Sequence, residues 1–473
     1  MAARGPVGAH PQLVRALPDR QPAPEPRRYG FRPRVRSDKL PPIPHGDRRD
    51  RVLARLEDGS MLLPAAPVRF RNNDSEYRYR PDSELLYLTG WDAPGCIALL
   101  RGFADKDRFV LFVPERDAEQ ELWTGPLREP EEVGKLLGAD RVFSAGDFAG
   151  KAPGLLAGGD GIHYRLGTSD VCDRVVREAL QNGRRLRARK GAGPSMVADP
   201  GVILDPMRLR KHPAEIVRMR EAARISVAAF GEALGHVREG VGEWEVEAIL
   251  EAGFRGRGAN GPAFATIVAT GANACTLHYS ANSSRIGAGD LVLIDAGAEF
   301  DFYAADITRT VPASGKLGGA RREVYEVVRD AHRAAVAACT PGGTLDAVHQ
   351  AAVEKIAAGL VAIGVLDGTM DEVVEKRSYR PFFPHRTSHW LGLDTHDAGP
   401  YRNRDGPVKL EPGMVFTVEP GLYFAPGSGP GLPELEGTGI RLEDDVLVTP
   451  EGSEVLTGGL PVDPGLLGEV MVS

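Results

Sequence analysis

The sequence predicts an α+β protein built from two parts, a smaller α/β part over residues 45–195 and a larger mixed part over residues 205–460. In the first part, strand-like apolar runs alternate with helical patterns, which is typical of an α/β domain. In the second part, long helical patterns are interrupted by β-favouring runs that carry carboxylates and histidines. Between them, Gly and Pro lie close together from Gly191 to Asp199, which predicts a linker.

Length and composition support this division and exclude some classes of function. A chain of 473 residues can bury the cores of two domains. The net charge of −7 argues against a general nucleic-acid binder. No apolar run approaches the roughly 20 residues that cross a bilayer, and the N-terminus lacks the apolar core of a secretory signal. The four cysteines show no metal or redox spacing, which fits a reducing compartment. We therefore expect a cytoplasmic protein without a membrane or nucleic-acid partner.

Residues 1–44 are rich in Pro and Arg and have little apolar periodicity. Such a segment cannot bury enough apolar surface to order itself, so we expect a flexible, solvated tail. Its basic character leaves a transit peptide or an acidic partner as alternatives.

The part over 45–195 shows ordinary α/β patterns without a reaction centre. We expect a structural or oligomerising domain, and a homodimer or homotetramer for the whole protein. Helices are predicted over Asp47–Leu56, Pro130–Leu137 and Asp170–Leu180, and strands over Ser60–Leu63, Leu85–Leu88, Ile97–Leu100 and Phe109–Val113.

The second part opens with a long helix. Pro213 suits the first turn of this helix, and apolar residues then recur at helical spacing to Leu234. Further helices are predicted over Glu243–Phe254, Arg321–Cys339 and Leu345–Ile363. The strand-like runs between and after these helices carry the unusual polar residues.

The first of these runs, Leu291–Ile294, leads into a carboxylate where an apolar residue is expected. Asp295 shares a strand face with Leu291 and Leu293. If the chain turns back at Phe300–Asp301, Asp306 comes to lie opposite Asp295, with Cβ atoms about 4.5–5.5 Å apart. Two facing carboxylates repel each other and are costly to bury unless a cation lies between them. A shifted register that brings one Asp to solvent is the alternative, and the hairpin alone does not decide.

Three later stretches repeat this anomaly. Each places a carboxylate or an imidazole where the flanking residues indicate the interior, and several such groups together would be an electrostatic liability without a metal. The stretches are Pro384–Asp397, Met414–Glu419 and Gly439–Asp445.

These motifs, in this order, resemble the dinuclear pita-bread metallopeptidases, and most closely the Xaa-Pro aminopeptidase (aminopeptidase P) branch. The motifs are D-A-G, A-D-I-T-R-T, S-H-W-L-G-L-D-T-H-D, T-V-E-P-G and G-I-R-L-E-D-D, with T-L-H-Y upstream and Tyr77–Arg80 and Tyr87–Gly90 in the first part. The resemblance implies a C-terminal pita-bread (creatinase/aminopeptidase) catalytic domain preceded by a smaller α/β creatinase-like domain.

The same resemblance implies a site for two divalent metal ions. Its ligands would be Asp295, Asp306, His389, Glu419 and Glu443, with Asp306 and Glu443 bridging. Four carboxylates and one imidazole form a hard, oxygen-rich set that suits Mn²⁺ and can also take Co²⁺ or Zn²⁺.

The activity that the resemblance implies is removal of the first residue from peptides with proline second, by attack of a hydroxide that bridges the two ions. Glu419 would move the proton, and His278, His385 and His396 would surround the substrate. Arg441 would bind substrate or neutralise carboxylates. Because His389 and His396 are an odd number of residues apart, both reach the site only if the chain bends, and Gly392 is where it could.

Other interpretations remain open from the sequence. A prolidase shares the fold and the ligands but cleaves only Xaa-Pro dipeptides, and a metal-free pita-bread binding protein would have no activity. A lone histidine in such runs is also often structural. Arg386 stands where a small residue is expected after the first His, which leaves the preferred peptide length open.

Overall fold

The computed structural model describes residues 40–427 and 433–472. Most of the predicted tail, residues 1–39, lies outside the described residues. Across the part that is described, no helix combines the length and the apolar character needed to cross a membrane.

The N-terminal part is a mixed sheet with helices on both faces. The described helices are α1 (His45–Leu56), α2 (Ser83–Thr89), α3 (Ala118–Thr124), α4 (Pro130–Leu137), α5 (Phe148–Leu156) and α6 (Asp170–Lys190). The described strands are β1 (Ser60–Pro64), β2 (Phe70–Asn72), β3 (Ser75–Glu76), β4 (Ile97–Arg101), β5 (Phe109–Val113), β6 (Arg141–Ser144), β7 (Gly161–His163) and β8 (Met196–Ala198). Among these, six strands form one sheet in the order β6-β5-β4-β1-β7-β8.

The side chains of β1 point alternately to the two faces of the sheet, and each face is covered by an apolar cluster. Leu62 packs in one apolar cluster with Phe148 and Val176 of α5 and α6, whereas Met61 and Leu63 pack in the cluster on the other face. The α/β character predicted for this part is therefore confirmed.

The strand predicted over Leu85–Leu88 is wrong, because this run forms α2. The Asp82 side chain accepts a hydrogen bond from the Leu85 backbone N–H at the start of the helix. Gly90 ends it in the left-handed conformation, at φ 75°. A short apolar run fits a buried strand or a buried helix equally well, and here the two caps decide.

The linker predicted over Gly191–Asp199 is also partly wrong. Met196–Ala198 is β8, an edge strand of the N-terminal sheet that pairs in parallel with β7. The domain boundaries at residues 195 and 205 stay predictions.

The C-terminal part combines long helices with several small antiparallel sheets. Its described helices are α7 (Gly201–Leu209), α8 (Pro213–Leu234), α9 (Glu243–Gly256), α10 (Gly319–Ala337), α11 (Leu345–Ala362), α12 (Met370–Lys376) and α13 (Pro464–Val472). Its described strands are β9 (Gly261–Pro262), β10 (Ile267–Thr270), β11 (Leu291–Ala296), β12 (Ala298–Phe300), β13 (Tyr303–Ala304), β14 (Ile307–Pro312), β15 (Arg402–Asn403), β16 (Gly406–Pro407), β17 (Val415–Val418), β18 (Gly421–Phe424), β19 (Thr438–Arg441), β20 (Asp444–Thr449) and β21 (Gly452–Val455).

The hairpin that carries the two aspartates has a different register from the predicted one. Asp295 lies opposite Thr308 in the β11–β14 pair, so Asp306 is two residues from the opposing position but on the same face. The turn lies one residue later than predicted, at Asp301 and Phe302, which both have positive φ as in a type I′ hairpin. Gly297 permits the close approach of the two strands, since a Cβ there would lie 1.7 Å from the Ala305 carbonyl oxygen.

The tip of this hairpin also joins the two parts of the chain. Phe302 and Tyr303 pack in the same apolar cluster as Leu88 of α2. The Tyr303 hydroxyl donates to Glu215 of α8 (2.9 Å), which in turn pairs with Arg48 of α1 (2.6 Å). The hairpin that carries Asp295 and Asp306 is therefore in contact with both parts of the chain.

Candidate metal centre and active site

Five side chains predicted as metal ligands converge on one cavity of about 910 Å³, and each comes from the end of a strand or the chain beside one. Asp295 lies near the end of β11 and Asp306 immediately before β14. Glu419 directly follows β17, and Glu443 lies between β19 and β20. His389 precedes Trp390, which forms an isolated bridge with Phe416 of β17. The cavity is lined by all five side chains: Asp295, Asp306, His389, Glu419 and Glu443.

The closest grouping within this set is Asp306, His389 and Glu443, which offer one ligand atom each within 4.8 Å of one another. His389 Nε2 lies 3.4 Å from Asp306 Oδ2 and 3.6 Å from Glu419 Oε1. Nδ1 of the same ring lies 3.1 Å from the Trp390 carbonyl oxygen. A carbonyl can only accept, so Nδ1 carries the proton and the Nε2 lone pair points toward the carboxylates, as a metal-binding imidazole requires.

The carboxylates are poorly satisfied by the protein alone. Asp295 Oδ1 and Asp306 Oδ1 are buried without a described hydrogen-bond partner. Burial raises the pKa of Asp306 well above its ordinary value, and the nearby Glu443 and Asp295 raise it further. Burial and then Glu419 and Asp295 act in the same direction on the pKa of Glu443. Divalent cations would offset this repulsion and use the free oxygens, so the residues present fit a metal site.

Hydrogen bonds from neighbouring strands fix the orientation of these carboxylates. Thr308 Oγ1 donates to Glu443 Oε2 (2.6 Å), and the Glu443 backbone N–H donates to the Thr308 carbonyl (3.0 Å). The Asp306 backbone N–H donates to Asp445 Oδ2 (3.1 Å). Sequence reasoning did not assign roles to Thr308 or Asp445, although both stand inside the quoted motifs.

Arg441 lies buried behind the carboxylates. Its Nη2 donates to Asp295 Oδ2 (2.6 Å), its Nη1 to the Tyr423 hydroxyl (3.0 Å) and its Nε to Thr308 Oγ1 (3.1 Å). Of the two roles considered for it, neutralising a carboxylate fits this geometry. Tyr423 is a further site residue that the sequence did not indicate; it follows the E-P-G motif at an apolar strand position.

The three other histidines predicted for the site also line the cavity. His385 Nε2 lies 2.9 Å from the Tyr423 hydroxyl, and burial lowers the pKa of His385. The rings of His389 and His396 meet edge to face with centroids 4.4 Å apart. The chain bends from Gly392 to His396, so the bend that these two histidines require is present. His278 comes from the loop between β10 and β11.

Arg386 occupies the exposed rim of the same cavity. Its Nη2 donates to Asp346 Oδ1, and Arg402 Nη1 donates to the other oxygen of Asp346 at 2.8 Å. Two arginines therefore share one carboxylate, which leaves the rim with a surplus positive charge.

Comparison with known proteins identifies the family. The model for metallopeptidase family M24 matches residues 217–450, and the model for the aminopeptidase P N-terminal domain matches residues 45–163. The chain is 38% identical over 429 residues to a Xaa-Pro aminopeptidase of Escherichia coli K12, covering 90% of this chain and 97% of the relative. It is 36% identical over 425 residues to a Xaa-Pro aminopeptidase of Haemophilus influenzae, covering 89% and 96%.

Solved structures agree with the sequence comparison. The aminopeptidase PepP of Pseudomonas aeruginosa aligns with a TM-score of 0.86 at 41% identity, covering 90% of this chain and 97% of that one. A zinc-substituted E. coli aminopeptidase P in complex with product aligns with a TM-score of 0.85 at 37% identity, with the same coverage. The chain has the two-domain aminopeptidase P fold with a C-terminal pita-bread domain, and it belongs to metallopeptidase family M24.

Proposed function

We propose that this protein is a metal-dependent Xaa-Pro aminopeptidase, which removes the first residue from peptides whose second residue is proline. The observation that carries the proposal is the convergence of four buried or half-buried carboxylates and one imidazole in a single cavity. Relatives that carry this name match nine tenths of the chain. As a member of a metallopeptidase family, the protein is an enzyme that acts with divalent metal ions.

We further propose that the site holds two ions and that Mn²⁺ is preferred. The hard oxygen-rich donor set supports this choice, and Co²⁺ or Zn²⁺ remain possible occupants. The proposed ligands are Asp295, Asp306, His389, Glu419 and Glu443. When bound, such ions polarise a carbonyl and lower the pKa of a water.

The remaining residues bind and orient the peptide. Oε1 of Glu419 faces His389, and Oε2 faces His385 at 3.8 Å from its Nδ1. This position at the cavity wall supports its role in moving a proton from the attacking water to the leaving nitrogen. His278, His385 and His396 would donate hydrogen bonds to substrate carbonyls. Arg441 would keep the Asp295 carboxylate in place.

We propose a cytoplasmic homodimer or homotetramer. Leu122 and Trp123 of α3 are each 84% exposed, which is unusual for large apolar side chains. Their exposure on the N-terminal part supports self-association through that part.

Prolidase is the second candidate, because the rim arginines could hold the free carboxylate of a dipeptide. The test compares cleavage of Xaa-Pro, Xaa-Pro-Pro and a longer Xaa-Pro peptide at equal concentration with Mn²⁺. We expect the longer peptides to be cleaved efficiently. If only the dipeptide is cleaved and Arg386→Gly then admits the tripeptide, the enzyme is a prolidase. Arg404→Gly, on the exposed stretch that also carries Arg402, is the matched control.

A further inference from the structure

Glu243 is a buried carboxylate outside the proposed metal site, and its relative exposure is 0%. It begins α9, yet its side chain turns toward the loop between β10 and β11. Oε1 accepts hydrogen bonds from the Thr270 backbone N–H (2.8 Å) and the Asn273 side-chain amide (2.9 Å). Oε2 accepts from the Tyr279 hydroxyl (2.8 Å) and the Ser284 backbone N–H (2.8 Å).

All four donors are neutral groups, and all four come from the loop or from the strand residue that leads into it. Thr270 is the last residue of β10, immediately before the loop, and Asn273, Tyr279 and Ser284 lie within it. One carboxylate therefore holds the start of the loop and two further points along it, at Tyr279 and Ser284. Hydrogen bonds to an ionised group are stronger than those between neutral groups, and the start of a helix favours a negative charge.

The same loop forms one wall of the catalytic cavity. Leu277, His278 and Ser280 line the cavity, and Tyr279 stands directly between two of them. The side chain of Tyr279 thus points back to Glu243 while its neighbours face the substrate space. The loop is also tied to β10 at Asn282, whose Oδ1 accepts from the Val268 backbone N–H (2.9 Å).

We propose that Glu243 is a positioning residue for the reaction: it fixes the loop that presents His278 to the substrate. This inference rests on the proposed function for its catalytic consequence, whereas the anchoring itself concerns the loop alone. Glu243 does not touch the cavity, so its effect on the reaction passes through His278 and its neighbours.

The substitution Glu243→Gln tests the inference, because an amide presents an N–H₂ group to two of the four donors. We expect the amides of residues 271–284 to exchange hydrogen at least about tenfold faster in the variant, since they lose their anchor. Metal content should match that of the wild type. On an Xaa-Pro-Pro peptide, kcat/KM should fall by roughly 10- to 100-fold, which is what a misplacement of about 1 Å can cost.

A double-mutant cycle with His278→Ala separates positioning from a general loss of structure. If Glu243 acts through His278, Glu243→Gln should lower kcat/KM by less than about threefold in a protein whose His278 is already alanine. Tyr279→Phe removes one of the four donors, so hydrogen exchange in the loop and kcat/KM should change in the same directions but by less. This variant replaces Glu243→Gln in the test if Glu243→Gln folds poorly. Glu245→Gln is the matched control; this exposed residue of the same helix accepts from the Gly242 backbone N–H and should leave exchange and rate unchanged.

The inference is overturned if Glu243→Gln leaves the exchange of the loop as in the wild type. It is also overturned if kcat/KM falls equally with and without His278, or if His278→Ala itself has no effect. A wild-type protein that cleaves no Xaa-Pro peptide would instead contradict the proposed function, and the exchange comparison would still decide whether Glu243 anchors the loop.

Discussion

Asp306 lies in the cavity among four other carboxylates. It is buried, and the carboxylates that raise its pKa beyond the effect of burial are those of Glu443, Asp295, Asp445 and Glu419. Such a position is tolerable if a cation shares it, so we expect Asp306 to contribute more to metal binding than to the stability of the fold.

Asp306→Asn should therefore lower activity by more than about 100-fold while the protein stays folded, because a charge is lost at the centre of the cluster. Peptide cleavage, bound metal and far-UV circular dichroism check this. Asp301→Asn, in the turn of the same hairpin, is the control, since Asn tolerates positive φ and Asp301 pairs with Arg218 away from the cluster. Normal activity in the Asp306 variant with metal retained would remove this residue from the site.

Glu419→Gln should reduce kcat far more than it changes KM. The variant would lose the group to which we assign the proton transfer, and such groups contribute about 10²–10⁴-fold. Steady-state kinetics at saturating Mn²⁺, with bound metal measured on the same samples, checks the prediction. Glu411→Gln, a change at a partly exposed residue just before the same strand, should behave as the wild type. A kcat within a few-fold of the wild type at full metal content would show that another group moves the proton.

Several carboxylates and histidines of the cavity stood out in the sequence because charged groups in apolar strand runs are conspicuous, and the family resemblance supplied the full set. The register of the hairpin that carries Asp295 and Asp306 could not be predicted exactly. The hairpin turns at Asp301–Phe302 without a glycine to mark it, so the turn was predicted one residue early. Tyr423 was missed because nothing local distinguishes a tyrosine that contacts Arg441 from one that fills a core.

At the scale of elements, α2 is a helix where the sequence predicted a strand. It also buries a charged residue. Glu84 of α2 is buried and pairs with Arg165 at 2.7 Å. Burial raises the pKa of Glu84 to about 7, although Arg165 opposes this. An ionised Glu84 is therefore a cost to the folded state at neutral pH.

Glu84→Gln should stabilise the protein at pH 8. The unfolded carboxyl ionises near pH 4.5 and the folded one near pH 7, so the wild type loses stability as the pH rises through this window. Since one pKa unit corresponds to about 1.4 kcal/mol, we expect a gain of about 1–3 kcal/mol at pH 8 that vanishes near pH 4.5. Urea unfolding across this range measures it, with the exposed Glu131→Gln in the first turn of α4 as control. A gain that is independent of pH would contradict the explanation.

At the scale of the whole molecule, a buried ionic network joins the two parts next to His396. Asp397 lies between Arg208 Nη2 (2.5 Å) and Lys211 Nζ (3.1 Å). Arg208 also contacts Asp394 (2.7 Å), which accepts from Ser83 of α2 (2.7 Å). Burial alone would raise the pKa of Asp397, but Lys211 and Arg208 hold it below its ordinary value. The bend that presents His396 is therefore tied to both parts of the chain.

Asp397→Asn should destabilise the protein by about 3–5 kcal/mol, because it leaves the buried Lys211 without its ion-pair partner and leaves the buried Arg208 with Asp394 as its remaining one. The difference from the wild type should be greatest at neutral pH and should shrink as the pH falls below about 4, where the carboxyl of the unfolded chain takes up a proton while the folded one, with its lowered pKa, is still ionised. Urea unfolding measures it, and kcat/KM should fall with it since His396 is adjacent. Asp394→Asn, whose side chain is 38% exposed, should have a smaller effect. Equal stability of Asp397→Asn and wild type would show that the network is not structural.

The division of the chain into an α/β part and a catalytic part could be predicted because the two have different periodicities. The network that joins them could not, since Arg208 is distant in sequence from Asp394 and Asp397 and meets them only after folding. The strand β8 was hidden for a similar reason: Met196–Ala198 gains its β-structure from pairing with β7 rather than from its own short pattern.

The central claim is that this cavity binds divalent ions on which Xaa-Pro cleavage depends. Titration of chelator-treated protein with Mn²⁺, following release of the first residue from Xaa-Pro-Pro together with the metal bound, tests it most directly. We expect no cleavage without metal and activity that rises with bound Mn²⁺ to a limit of two equivalents per chain. Full activity in the presence of chelator, or Mn²⁺ that binds without any peptide being cleaved, would contradict the account.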